Sequence, residues 1–296
     1  MIPATAPSRT VLGAVLLTIS WVFFTTEMVT VRLLSEDLSI AQIGVFRQAT
    51  QALVLLPVVL WTYGAVLRTG RFRTHIGRAG CSVGGMYLFY LAFALLPLAL
   101  ATTLTFLQAM FIIVLAALML GEAIGPRRVG AVTVGFCGVL IVMRPGIAEF
   151  QPGMLVALSG AFVAALLIII TRSLSATESR VTIMIYSSWM GLVLIGLPAF
   201  LTWQPIELRH LPLLALVGAA GTTGQFLMVG AFQVAEASAL AAVDYVRLIF
   251  AVCAGYVMFS EVPDFWTCVG AAVILGAVGY ATHRERLAMR TDVRAQ

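Results

Sequence analysis

The sequence predicts an all-α membrane protein of about ten transmembrane helices, arranged as two inverted five-helix repeats. Three observations carry this expectation. The 296 residues are 61% hydrophobic and only 10% charged, with a mean hydropathy of +1.02, whereas a soluble domain carries roughly 25% charged residues. Apolar runs near the ~20 residues needed to cross the hydrocarbon of a bilayer recur along the whole chain. The two halves of the sequence also repeat one another at a constant offset.

The runs, read between turn and charge signals, fall at residues 11–34, 40–66, 77–96, 99–120, 127–144, 153–172, 181–202, 211–233, 237–259 and 265–283. The first follows Arg9 in the manner of a secretion signal. It continues from Val11 to about Leu34 with no early small-residue cleavage pattern, so it is expected to be a span. Several connections are only a few residues long, as around Pro97 and Glu236. The net charge of +5 comes entirely from arginine, because the chain has no lysine. With both termini in the cytoplasm, thirteen arginines (9, 68, 71, 73, 78, 127, 128, 172, 180, 284, 286, 290 and 294) lie on the inner side. Three (32, 144 and 209) lie outside, and Arg47 and Arg247 fall within spans. That asymmetry is the positive-inside signature of membrane orientation, not the basic face of a nucleic-acid binder.

An offset of 139 residues aligns Gly85 with Gly224, Leu88 with Leu227, Ala92-Phe93 with Ala231-Phe232, Phe111 with Phe250, Met119 with Met258 and Glu122 with Glu261. After one inserted residue, Gly130-Ala131 matches Gly270-Ala271. The expected repeats are residues 1–146 and 147–296, the second ending in a short cytoplasmic tail. Five spans per repeat is an odd number, so the second must thread the bilayer in the opposite sense. The loop after Glu122 carries Arg127 and Arg128, while Val262-Pro263-Asp264 after Glu261 carries no arginine, as inversion requires. Inverted repeats are a common architecture of secondary transporters, with the site near the midplane between them.

Cys81, Cys137, Cys253 and Cys268 lie in apolar runs without paired spacing or a neighbouring histidine, which argues against a metal site or disulfide framework. His75, His210 and His283 sit near segment ends. The loops are too short to build a phosphate loop or a catalytic constellation, so no enzyme and no cofactor is expected.

Both halves resemble the EamA domain of the drug/metabolite transporter superfamily. The first carries Ala92-Phe93, an Ala/Leu/Thr-rich run from Leu98 to Leu120, Gly121-Glu122, Pro126-Arg127-Arg128, Gly130 and Arg144-Pro145-Gly146. The second carries Asp244-Tyr245-Val246-Arg247-Leu248, Gly255-Tyr256, Ser260-Glu261-Val262-Pro263-Asp264 and Gly270-Ala271. The resemblance covers nearly the whole chain. It implies two inverted five-helix repeats around a central cavity, and an alternating-access carrier in a bacterial inner membrane. Many members have a proline where this chain has Ala109 and Leu248, so straighter helices are expected there.

Ionisable groups inside spans are costly and default to functional hypotheses. Asp244 and Arg247 share a helix face at i, i+3, with Tyr245 beside them. Arg247 suits bidentate binding of a carboxylate, and Asp244 an amine or a proton, the alternative being an intrahelical ion pair. Gln108, the repeat mate of Arg247, joins Tyr87, Tyr90, Trp189 and Gln225 as further candidates for substrate contact, although intramembrane aromatics usually serve packing. Glu27, Arg47, Gln48 and Tyr186 are candidates for gating or coupling. Glu27 either pairs with Arg47 across the bundle or sits partly solvated near the outer end, and Gln51 continues the stripe of Gln48. Glu122 and Glu261 read as coupling carboxylates or, more simply, as caps on the next helix N-terminus. The pairs Gly80-xxx-Gly84 and Ala220-xxx-Gly224 predict close helix approach.

Mixed charges in one cavity suit a zwitterion such as an amino acid or derivative, with a proton or counter-substrate as coupling partner and the lipid bilayer as surroundings. Segment 244–248 resembles the S-adenosylmethionine uptake branch of the family. The rival classes are a lipid flippase, which needs an apolar lateral groove, and a non-transporting membrane subunit, which spends its polar residues on packing.

Overall fold

The apolar runs fold as helices in a computed structural model that describes residues 7–62, 67, 69–120, 126–144, 151–175, 177–234, 243, 246–277, 279 and 280. Among the described residues there is no strand. The helices are α1 (Pro7–Leu34), α2 (Ile40–Trp61), α3 (Phe72–Leu95), α4 (Leu98–Thr105), α5 (Leu107–Leu120), α6 (Pro126–Met143), α7 (Pro152–Ser175), α8 (Arg180–Leu201), α9 (His210–Val234), α10 (Val246–Phe259) and α11 (Phe265–Ala277). Seven segments are long and apolar enough to cross a membrane: α1, α2, α3, the run Leu98–Leu115, α7, α8 and α9. Val132–Met143, α10 and α11 are apolar but shorter. Trp61 is 83% exposed and Phe200 77%, an outer surface suited to lipid and not to water.

Local chemistry sets the helix ends. Ser39 and Ser179 hold extended backbone at the N-caps of α2 and α8, and each hydroxyl accepts the N–H three residues on, from Gln42 at 3.2 Å and from Thr182 at 3.1 Å. Such caps satisfy donors that the helix cannot. α3 begins at Phe72, five residues before its apolar run, because a helix continues through the polar interface until its cap. The expectation of a straighter fourth span fails at Phe106, where α4 gives way to α5 without any proline. The hydroxyl of Thr103 donates to Ala99 O at 2.8 Å and that of Thr105 to Thr102 O at 2.7 Å, bonds that bend helices. The Phe106 N–H then donates to Thr103 O at 3.2 Å in the tighter i−3 pattern.

The helices group into two compact units, each drawing segments from both halves of the sequence. One comprises Thr26–Leu96 and Pro152–Thr222, the other Met1–Thr25, Pro97–Gln151 and Thr223–Gln296. In the first, α3 packs on α7 and α8, and α2 on α8. Val31, Leu34, Ile43, Tyr90, Leu214 and Val217 form its largest described core cluster. A Cβ on Gly160 would lie 2.9 Å from the Phe89 ring, so α7 meets α3 through a glycine. The predicted Gly80-xxx-Gly84 approach is absent. A Cβ on Gly80 would meet nothing within 4 Å, and one on Gly84 only Val163, at 3.9 Å.

Polar clasps hold this unit at both ends. At one end Gln42 exchanges two 3.0 Å hydrogen bonds with the Gln204 backbone, and Asp37 meets His210 at 3.2 Å. At the other, Arg78 donates to Thr171 at 2.9 Å, Arg71 to Ser173 O at 2.5 Å and Thr69 to Glu178 at 2.6 Å. His75 and His210, near segment ends as expected, are both buried.

In the other unit α4 packs on α10 and α5 on α6. Gly224 meets Phe23, Phe24 and the Ser20 carbonyl of α1 at 3.2–3.3 Å, the close approach expected of Ala220-xxx-Gly224. Glu261 does not cap the next helix. Ser260 turns the chain at φ 54°, and the Glu261 carboxylate accepts the Leu98 N–H at the start of α4 at 2.8 Å. Asp264 caps α11 instead, accepting the Thr267 N–H at 2.9 Å and pairing with Arg144 at 2.5 Å. Burial raises the Asp264 carboxyl, but the Thr267 bonds and the Arg144 charge outweigh it and hold it below the ordinary carboxylate range. Glu261→Ala is therefore expected to cost about 1 kcal/mol through loss of the α4 cap, read as a lowered thermal midpoint in detergent. Asp264→Ala is expected to act separately and additively, because the two carboxylates cap different helices. Glu122 lies outside the described residues.

Candidate functional site

Within the unit formed by Thr26–Leu96 and Pro152–Thr222, three helices bring charged and polar groups to one buried place. α1 supplies Glu27, α2 supplies Arg47, Gln48 and Gln51, and α3 supplies Tyr90. The i, i+4 spacing puts Arg47 and Gln51 on one face of α2. The Arg47 Nε–H donates to Glu27 Oε1 at 3.3 Å. Its Nη1 donates to Gln48 Oε1 at 3.5 Å and to Gln51 Oε1. The Tyr90 hydroxyl donates to the same Glu27 oxygen. Glu27 is 6% exposed, Gln48 2% and Tyr90 4%, so Glu27 is not the partly solvated carboxylate that the nearby Arg32, Glu36 and Asp37 allowed.

Glycines make room for this network. A Cβ on Gly221 of α9 would meet the Glu27 carboxylate, and one on Gly191 of α8 would meet the Gln48 amide at 2.6 Å. A lone carboxylate or guanidinium here carries a desolvation cost of several kcal/mol. Mutual pairing and the added hydrogen bonds offset it. Each charge is thus held by the other and by the hydrogen bonds from Tyr90 to Glu27 and from Arg47 to Gln51.

The unit formed by Met1–Thr25, Pro97–Gln151 and Thr223–Gln296 holds a second cluster. The Arg247 guanidinium carbon lies 3.9 Å from the centroid of the Phe106 ring and 5.2 Å from that of Trp21. These are cation–π distances. The break between α4 and α5 is what places Phe106 here. Trp21 also packs with Phe24 at 5.4 Å. Gln108 and Gln225 are partly buried in the same unit.

The remaining expected residues are placed differently. Asp244 and Tyr245 lie outside the described residues. Tyr87 and Trp189 are exposed. Tyr186 does not join Glu27, Arg47 and Gln48. Its hydroxyl donates to Leu67 O at 2.7 Å, and its ring packs on His75 at 4.4 Å and edge-on to Phe72. Trp21, Phe106, Gly191 and Gly221 carry no local signal in the sequence, since an aromatic or glycine in an apolar run reads as packing until its neighbours are known.

The EamA-like transporter family matches residues 11–144 and again residues 151–282. An S-adenosylmethionine uptake transporter from Rickettsia bellii is 31% identical over 85% of this chain and 87% of its own length. A riboflavin transporter from Rhizobium johnstonii is 28% identical over 95% of this chain and 94% of its own. A crystal structure 19% identical to this chain shares the fold, with a TM-score of 0.59 over 95% of this chain and 98% of that one. Two matches to one family along a single chain account for its recurring sequence pattern, and the chain belongs to the EamA-like transporter family.

Proposed function

We propose that this chain is a secondary transporter that moves a zwitterionic amino-acid derivative across a bacterial inner membrane by alternating access. The first substrate to test is S-adenosylmethionine. The observation that carries the proposal is the buried Glu27–Arg47 pair, tied to Tyr90 and Gln51 across three helices. Charge placed inside membrane spans is retained where a solute or ion passes, and a carrier with both signs within its spans suits a zwitterion. S-adenosylmethionine is itself an amino-acid derivative, and the Rickettsia relative's name supports the choice. The arginine distribution supports ten spans with both termini cytoplasmic, in two inverted repeats at 1–146 and 147–296. Glu27 is the group proposed to take a coupled proton, because protonation would release its hold on Arg47.

Cells expressing the chain are expected to accumulate labelled S-adenosylmethionine saturably, with excess unlabelled compound competing and riboflavin not. Uptake no greater than in cells with empty vector would overturn the substrate. Accumulation of labelled riboflavin instead would move the assignment to the chemistry named for the Rhizobium relative.

A further inference from the structure

We infer that Trp21, Phe106 and Arg247 form the subsite that takes the substrate's carboxylate, with Trp21 as a second hydrogen-bond donor and Phe106 as a positioning residue. The inference deepens the transport reading above and rests on it. Aromatic faces hold a guanidinium in place by cation–π attraction and carry no net charge that would neutralise it. The Phe106 ring centroid lies 3.9 Å and the Trp21 centroid 5.2 Å from the guanidinium carbon. Three segments far apart in sequence converge here: α1 supplies Trp21, the α4–α5 break supplies Phe106, and the second residue of α10 supplies Arg247.

Trp21 supplies an independent observation. Its indole Nε1 is buried and meets no acceptor among the described residues. An indole N–H can only donate, and leaving such a donor without a partner is costly. Buried Trp N–H groups usually find one. A donor so placed beside a guanidinium calls for an acceptor-only group, and the acceptor group of an amino-acid derivative is its carboxylate. The indole N–H and the positive guanidinium each favour a carboxylate, and the apolar rings strengthen such interactions by excluding water. A cationic or purely apolar ligand group would satisfy neither.

The test compares S-adenosylmethionine with its decarboxylated analogue, which keeps the nucleoside, the sulfonium and the amine. Binding to the purified full-length chain is read from ligand-dependent thermal stabilisation. The wild-type protein is expected to bind the carboxylated form roughly tenfold or more tightly, the scale of hydrogen bonds to a charged group. Trp21→Phe keeps the ring and removes the N–H, so the preference is expected to narrow to about threefold. Phe106→Leu, which removes the ring face against the guanidinium, is expected to narrow it similarly. Binding of the decarboxylated analogue is expected to stay unchanged in both variants, whereas a merely structural role would weaken both ligands together. Equal affinity of the wild type for the two ligands, or parallel loss of both in the variants, overturns the subsite and leaves the transport assignment standing. Stabilisation by neither ligand overturns the substrate assignment and the subsite with it.

Discussion

Arg47→Met is expected to abolish transport and to cost about 3–5 kcal/mol of stability, because it leaves the Glu27 carboxylate buried without its counter-charge. The pair lies at 3.3 Å with side chains 12% and 8% exposed, so solvent offers little compensation. Tyr90 still donates to the carboxylate, which sets the loss nearer the lower figure. The double variant Glu27→Gln/Arg47→Met removes both charges. It is expected to regain most of the stability and none of the transport, since a buried ion pair contributes little net stability over apolar replacement. Thermal unfolding in detergent and uptake into proteoliposomes separate the two quantities. A single variant as stable as the wild type would mean that the pair is not desolvated. A single variant that transports normally would remove the pair from the mechanism.

Gly221→Ala is expected to reduce transport at least tenfold while costing about 1–3 kcal/mol, the usual range for overpacking a filled site. The new Cβ would lie 2.5 Å from Glu27 Oε1, 2.7 Å from Cδ and 2.8 Å from Oε2. No rotation of the carboxylate about its own axis clears three atoms at once. The group must leave its place between Arg47 and Tyr90, so the substitution acts on the ion pair without touching a charged residue. Gly196→Ala is the control, because a Cβ there meets nothing within 4 Å, and it is expected to change neither quantity. Equal effects from both variants would show that the loss reflects glycine chemistry in helices and not displacement of Glu27.

The two sites differ in what holds them. Glu27 and Arg47 satisfy one another through charge and hydrogen bonds, and the Arg247 guanidinium lies over aromatic faces beside the indole N–H of Trp21, a donor without an acceptor. Self-satisfied charges suit a switch whose partners are exchanged as the protein changes state. A donor left without a partner suits a place that is completed only when substrate is bound.

Apolar run lengths placed the helices. The composition required a membrane, and the offset between Glu122 and Glu261 exposed the repeat, all from the chain alone. A run of intramembrane residues such as Glu27, Arg47 and Arg247 was conspicuous for the same reason: charge has no local excuse in an apolar stretch. Who meets whom the chain offered at best as alternatives, as for Glu27 with Arg47. In a soluble protein the polar face of each helix points at water, and the apolar stripe names the buried side. Here lipid and interior are equally apolar, so the hydrophobic pattern of a span does not distinguish its lipid face from its packed face. The Glu27–Arg47 pairing, the break at Phe106 that carries its ring to Arg247, the transfer of the Glu261 cap to α4 and the glycine opposite Glu27 were therefore decided by tertiary packing, where contact distances do the selecting that water does elsewhere.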